Sequence, residues 1–112
     1  MSNLDSTLVA LADPTRRQVV DLLRRGPRSA GELAVASDMS APAMSRHLRV
    51  LRRTKLIEES GVEHDARIRI FSLRREPFAE LQAWLGEIES FWEDELGAFK
   101  AHAERGRKRT KK

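Results

Sequence analysis

The chain has 112 residues, three histidines, no cysteine and a formal net charge of +4. Its length fits one small domain whose modest core a dimer interface would extend, and the missing cysteine removes disulfides, thiolate metal sites and thiol redox chemistry. No apolar run is long enough to span a membrane, and "MSNLDSTLVALADP" lacks the basic start and apolar stretch of a secretory signal, so a cytoplasmic protein is expected.

"STLVALA" opens the chain as a short helix with Leu4, Leu8 and Leu11 on one side. Asp13-Pro14 restarts it, because Asp is a good N-cap and Pro suits the first helical position. The second helix carries Val19, Val20, Leu22 and Leu23 and stops at Gly26-Pro27. A third begins at Ser29 and Glu32, the S-x-x-E pattern of a capping box. Asp38-Met39-Ser40 makes a turn, and Ser40 caps a fourth helix with Pro42 in its first turn.

Charge is segregated along the sequence. Residues 40–56 hold Arg46, Arg49, Arg52, Arg53 and Lys55 and no carboxylate. With Met44 at 0° on a helical wheel, Leu48 falls at about 40° and Leu51 at about −20°. Ser45, Arg49, Pro42, Arg53 and Arg46 cover about 100° to 200° on the opposite side. The fourth helix therefore docks by three apolar residues and presents a face that is small at its N-terminal end and cationic beyond.

After Lys55 the period changes to that of strands, and residues 56–73 read as a β-hairpin around the polar loop "GVEHD". Glu76-Pro77 restarts a helix to Glu104. In it Phe78, Leu81, Leu85, Ile88, Trp92, Leu96 and Phe99 recur at steps of three and four, and Trp84 and Phe91 widen the stripe. Such a helix would be about 42 Å long, more than a small body covers, so its aromatic face marks an interface. The tail "RGRKRTKK", residues 105–112, is basic and expected to be disordered.

The expected fold is mainly α with a small β-hairpin, in the order α-α-α-α-β-β-α: a winged helix-turn-helix over residues 1–104. A helix bearing small residues and then arginines suits the major groove of double-stranded DNA. A carboxylate on that face would be repelled by phosphate. Ser40, Ala41, Pro42, Ser45, Arg46 and Arg49 are the candidate DNA contacts. Arg52 and Arg53 serve phosphate or stand solvated. His47, beside the apolar stripe, is a further candidate DNA contact, one that packs the helix or bonds phosphate in preference to reading a base. Arg67 and Arg69 lie close to the wing loop, where they reach the adjacent minor groove or remain strand-surface residues.

"LADPTRRQVVDLLRRGPRSAGELA", then "MSAPAMSRHLRVLRRTKLI", a hairpin and an amphipathic last helix together resemble the ArsR/SmtB family of winged helix-turn-helix transcriptional regulators. The resemblance covers residues 5–104, and "SRHLRVLR" is its most specific part. It implies a homodimer joined through the first and last helices, with Leu4, Leu8, Leu11, Leu81, Trp84, Leu85, Ile88, Phe91, Trp92 and Phe99 at the interface. It also implies a repressor bound to an inverted-repeat operator. It implies that, in many members, a metal ion or another effector releases the DNA. The positions of their third-helix cysteines fall on Ser29, Gly31 and Ala34 here, none a soft ligand. No metal and no cofactor are expected, and the effector is open. The rival reading is a winged-helix protein-interaction module that binds no DNA. Three scattered histidines and no glycine-rich loop nominate no catalytic pair, so no enzyme is expected.

Overall fold

The computed structural model describes residues 3–62 and 64–110. Its elements are α1 (Asn3–Leu11), α2 (Pro14–Arg24), β1 (Arg28–Ser29), α3 (Ala30–Ala36), α4 (Ala41–Arg53), β2 (Ile57–Val62), β3 (Asp65–Leu73) and α5 (Arg75–Thr110). This is a mostly helical winged helix-turn-helix with the expected element order and one addition, the two-residue β1. The sheet is antiparallel in the order β1-β3-β2. Packing divides the chain after Glu80.

In the first unit, local chemistry sets the helix starts. The Asp13 side chain caps α2 by accepting from the Arg16 amide, with Pro14 in the first turn. Ser29 and Glu32 form the expected reciprocal box on α3. That bonding, led by the Ser29 amide, holds the Glu32 carboxyl below its ordinary range. The Ser40 hydroxyl accepts from the Ala43 amide at the head of α4.

The helix ends use left-handed residues. After α3, the Asp38 amide donates to Val35 O and the Met39 amide to Ala34 O. After α4, the Lys55 amide donates to Arg52 O and the Leu56 amide to Leu51 O. Each pair is a Schellman closure, with Asp38 at φ 50° and Lys55 at φ 63° in the place glycine usually takes. After α2, Pro27 has no amide to close such a motif, and Gly26 turns the chain at φ 152°, a conformation open to glycine.

Val19 and Leu23 of α2, Leu33 of α3, Met44, Leu48 and Leu51 of α4, Leu56, Ile57 of β2 and Phe71 of β3 make the core, joined by Ala10 and Ala34. Buried Thr7 satisfies its hydroxyl by donating to Asn3 O at 2.9 Å. β1 pairs Arg28 with Phe71 and Ser29 with Ile70. β2 pairs with β3 from Ile57–Leu73 outward, with an irregularity between Gly61 and Val62 at the wing.

α5 starts at Arg75, so Pro77 sits buried inside its first turn. It runs to Thr110, six residues past the expected end at Glu104 and through most of the tail expected to be disordered. Residues 105–110 hold no proline and four Arg or Lys residues, which favour helix, while Gly106 opposes it. Residues 111–112 of that tail lie outside the described residues. In the second unit, Trp84, Leu85, Phe91, Trp92, Leu96 and Phe99 are exposed on the helix, from 37% for Trp84 to 72% for Phe99. Phe91 and Trp92 meet edge to face with centroids 5.4 Å apart. No described helix is long and apolar enough to cross a membrane.

Candidate nucleic-acid interface

The site begins with how α4 is held. Met44, Leu48 and Leu51 are 0%, 3% and 0% exposed, so the three-residue stripe faces the core as the wheel requires. Ser40, Ala41, Pro42, Ser45, Arg46, Arg49, Arg52 and Arg53 are all exposed on the other side. Among the described residues, no carboxylate pairs with Arg46, Arg49 or Arg53, whose guanidinium groups therefore stand ready for an outside anion.

His47 lies half-buried on the flank of α4, and its Nδ1 is 3.5 Å from Arg16 Nη1. The contact sets one edge of the imidazole against Arg16 of α2. Arg16 itself does more than the sequence disclosed. Its Nε donates to Ala10 O at 2.7 Å and its Nη2 to Val9 O at 3.4 Å. Arg17 Nη1 donates to Leu11 O at 2.8 Å and Ala12 O at 3.1 Å. The two arginines of "DPTRR" thus satisfy the open carbonyls at the C-terminal end of α1, where cations are favoured. The available signal was a helix ending without glycine and followed within six residues by paired arginines.

The Arg16 amide bond, aided by the Arg16 charge, holds the Asp13 carboxyl below the ordinary aspartate range. A lowered carboxyl contributes its stabilisation in full above the ordinary range and loses it as pH falls through the lowered value. Asp13→Ala should therefore cost about 1 kcal/mol at neutral pH. That difference from the parent should shrink as the pH drops below about 4. Urea titrations of both proteins at pH 7 and pH 3 check this; an equal gap at both would contradict it.

Between α4 and the wing, the candidate arginines are already engaged. Arg52 Nη1 lies 2.7 Å from Glu59 Oε2, and Arg69 Nε lies 2.9 Å from Glu59 Oε1. Glu59 pairs with Phe71 and Gly61 with Arg69, so Glu59 and Arg69 are diagonal neighbours on adjacent strands, within reach of long side chains. A Cβ on Gly61 would stand 3.2 Å from Arg69 Nη1; the glycine leaves that guanidinium its room. Ser45, Arg49, Arg52, Glu59 and Arg69 are among the residues lining a cleft of about 280 Å³ there. Arg67 folds back on Asp65, with its amide and Nε both donating to Oδ1 at 3.0 and 3.3 Å, which lowers the Asp65 carboxyl. Glu59 was missed because its partners depend on strand register, which periodicity alone does not fix. Glu63, in the expected wing loop, lies outside the described residues.

The remaining candidates are apolar. Leu8 of α1 is 39% exposed, whereas Leu4 is half-buried and Leu11 packs against the core. On α5, Leu81 and Ile88 are half-buried while Trp84, Leu85, Phe91, Trp92 and Phe99 are exposed. Ser29, Gly31 and Ala34 supply no donor set for a metal such as the resemblance associates with other members. Among the described residues no three His, Asp or Glu side chains gather as a metal site.

Residues 11–60 match a helix-turn-helix domain family. A crystal structure of an ArsR family transcriptional regulator superposes with a TM-score of 0.73 at 37% identity, covering 82% of this chain and 98% of that one. This chain belongs to the ArsR family of transcriptional regulators. The ArsR-family chain is also 36% identical over 56 residues to the transcriptional repressor SdpR of Bacillus subtilis, covering 50% of this chain and 62% of SdpR. Across the curated relatives it matches, it spans 43% to 62% of their length. A further neighbour is the homodimeric winged helix-turn-helix DNA-binding domain of Mb0332 from Mycobacterium bovis. It has a TM-score of 0.63 and 25% identity, with 79% of each chain covered.

Proposed function

We propose that this ArsR-family chain is a cytoplasmic, homodimeric, sequence-specific DNA-binding repressor. α4 enters the major groove, and the wing, residues 61–69, lies at the adjacent minor groove. The observation that carries the reading is the exposed face of Arg46, Arg49 and Arg53, acid-free and unpaired among the described residues, on a helix whose other side is fixed in the core. Ser40, Ala41, Pro42 and Ser45 let the N-terminal turn approach base edges, while the arginines reach phosphate or guanine. His47 supports α4 from behind. The homodimeric neighbour and the exposed aromatic face of α5 support pairing of two copies. A symmetric pair requires an inverted-repeat operator with half-sites about 10 bp apart or a simple multiple of that.

Selection of bound sites from random DNA by the purified protein tests the reading. The selected sequences should contain an inverted repeat. Arg49→Ala should weaken binding to it by about 1–3 kcal/mol if the guanidinium reads a base. Affinity should also fall steeply with salt. Failure to enrich any sequence, or a flat salt dependence, would remove DNA binding as the function and favour the protein-interaction reading.

A further inference from the structure

We propose that Glu59 is a positioning residue that sets DNA selectivity. Its single carboxylate holds one arginine from α4 and one from the wing in fixed places, and withholds positive charge from indiscriminate phosphate binding. The inference rests on the DNA-binding reading above and extends it to a residue of opposite charge.

An acid beside a phosphate-binding face needs a reason, because it opposes the field that draws DNA in. The geometry supplies one. The Glu59 side chain is 14% exposed, while those of Arg52 and Arg69 are 54% and 52% exposed. The carboxylate is the inner member of the trio and the guanidinium groups are the outer ones. Each carboxylate oxygen takes one element: Oε2 takes α4 through Arg52, and Oε1 takes β3 through Arg69. Two guanidinium groups this close repel unless an anion lies between them. Each carries five N–H donors, of which the pairing uses few, so both retain donors for a phosphate.

Selectivity follows from the difference between two kinds of binding. Affinity for arbitrary duplex grows with the number of phosphates neutralised. Affinity for the operator also needs donors held at the right positions. The Glu59 carboxylate lowers the first by cancelling one charge of the cleft. It raises the second by fixing the α4 arginine relative to the wing arginine.

Glu59→Gln keeps the size and removes the charge. It should bind random duplex about fivefold more tightly at 0.15 M salt, with a salt slope steeper by about 0.9, the increment for one further phosphate. The ratio of operator to random-duplex affinity should fall at least as far. A purely structural role for Glu59 would leave that slope unmoved. Glu59→Asp keeps the charge but cannot reach both partners, so it should retain the parental slope while its operator preference falls. Circular dichroism confirms the fold of each variant. If Glu59→Gln shows the parental slope and ratio, or Glu59→Asp the parental preference, the inference is overturned while DNA binding stands. If the parent protein itself selects no DNA, the underlying reading has failed instead.

Discussion

Leu51→Ala is expected to destabilise the protein by about 2–5 kcal/mol. Leu51 has no exposed surface and sits in the same buried cluster as Met44, Leu48, Leu56 and Ile57. Its carbonyl also accepts the Leu56 amide that closes the end of α4. Truncation would remove three buried carbons and leave a void where α4, the following turn and β2 come together. A domain of this size has total stability of about 5–15 kcal/mol, so the loss would be a large part of the whole. The arginine face is untouched, so operator binding should fall only to the extent that the protein unfolds. Urea denaturation of the two proteins measures the difference. A cost under about 1 kcal/mol, typical of surface changes, would mean that α4 is not anchored as described.

Replacing Phe91 and Trp92 together by Ser is expected to convert the proposed dimer to a monomer at micromolar concentration. The two rings are 55% and 58% exposed, so burying that exposed part contributes about 1–1.5 kcal/mol each. Twofold symmetry brings four such rings to the interface, about 4–6 kcal/mol in all, or three to four powers of ten in the dissociation constant. Operator affinity should collapse with it, since each copy would grip only one half-site. Sedimentation equilibrium of parent and variant reads the change directly. Equal association constants would place the contact between copies elsewhere on the chain.

The helical framework was legible because its punctuation is local. Asp13, Ser29 and Ser40 each cap the helix that follows them, and a cap needs only neighbours three residues away. The wheel placed Met44, Leu48 and Leu51 inward for the same reason: helical period is independent of the rest of the fold. The hairpin was found as a change of period. The two-residue β1 leaves no mark in the sequence, since two residues carry no period and the capping pattern at Ser29 accounts for the serine without a strand. The basic tail reads as disorder from its charge alone. Yet nothing in "ERGRKRT" except Gly106 stops a helix.

At the candidate site, the face of α4 was readable and its surroundings were not. The partners of Arg52, Arg69 and His47 come from residues 7, 10 and 31 positions away. Those contacts exist only once strand register and helix packing are set. Arg16 and Arg17 showed a charge pattern without a target, because the carbonyls they satisfy belong to backbone and leave no mark in composition.

Ser29 belongs to two elements at once: it pairs with Ile70 in the sheet and caps α3. The two projections that would touch a duplex, α4 and the wing, are thereby tied through main chain as well as through side-chain packing, since α3 leads into α4 and Ser29 is bonded to the wing strand. Their spacing behaves like the jaws of a fixed caliper. A DNA segment whose grooves do not match that gap must itself twist or bend to fit, so sequence-dependent stiffness at base pairs no side chain touches becomes part of what is recognised.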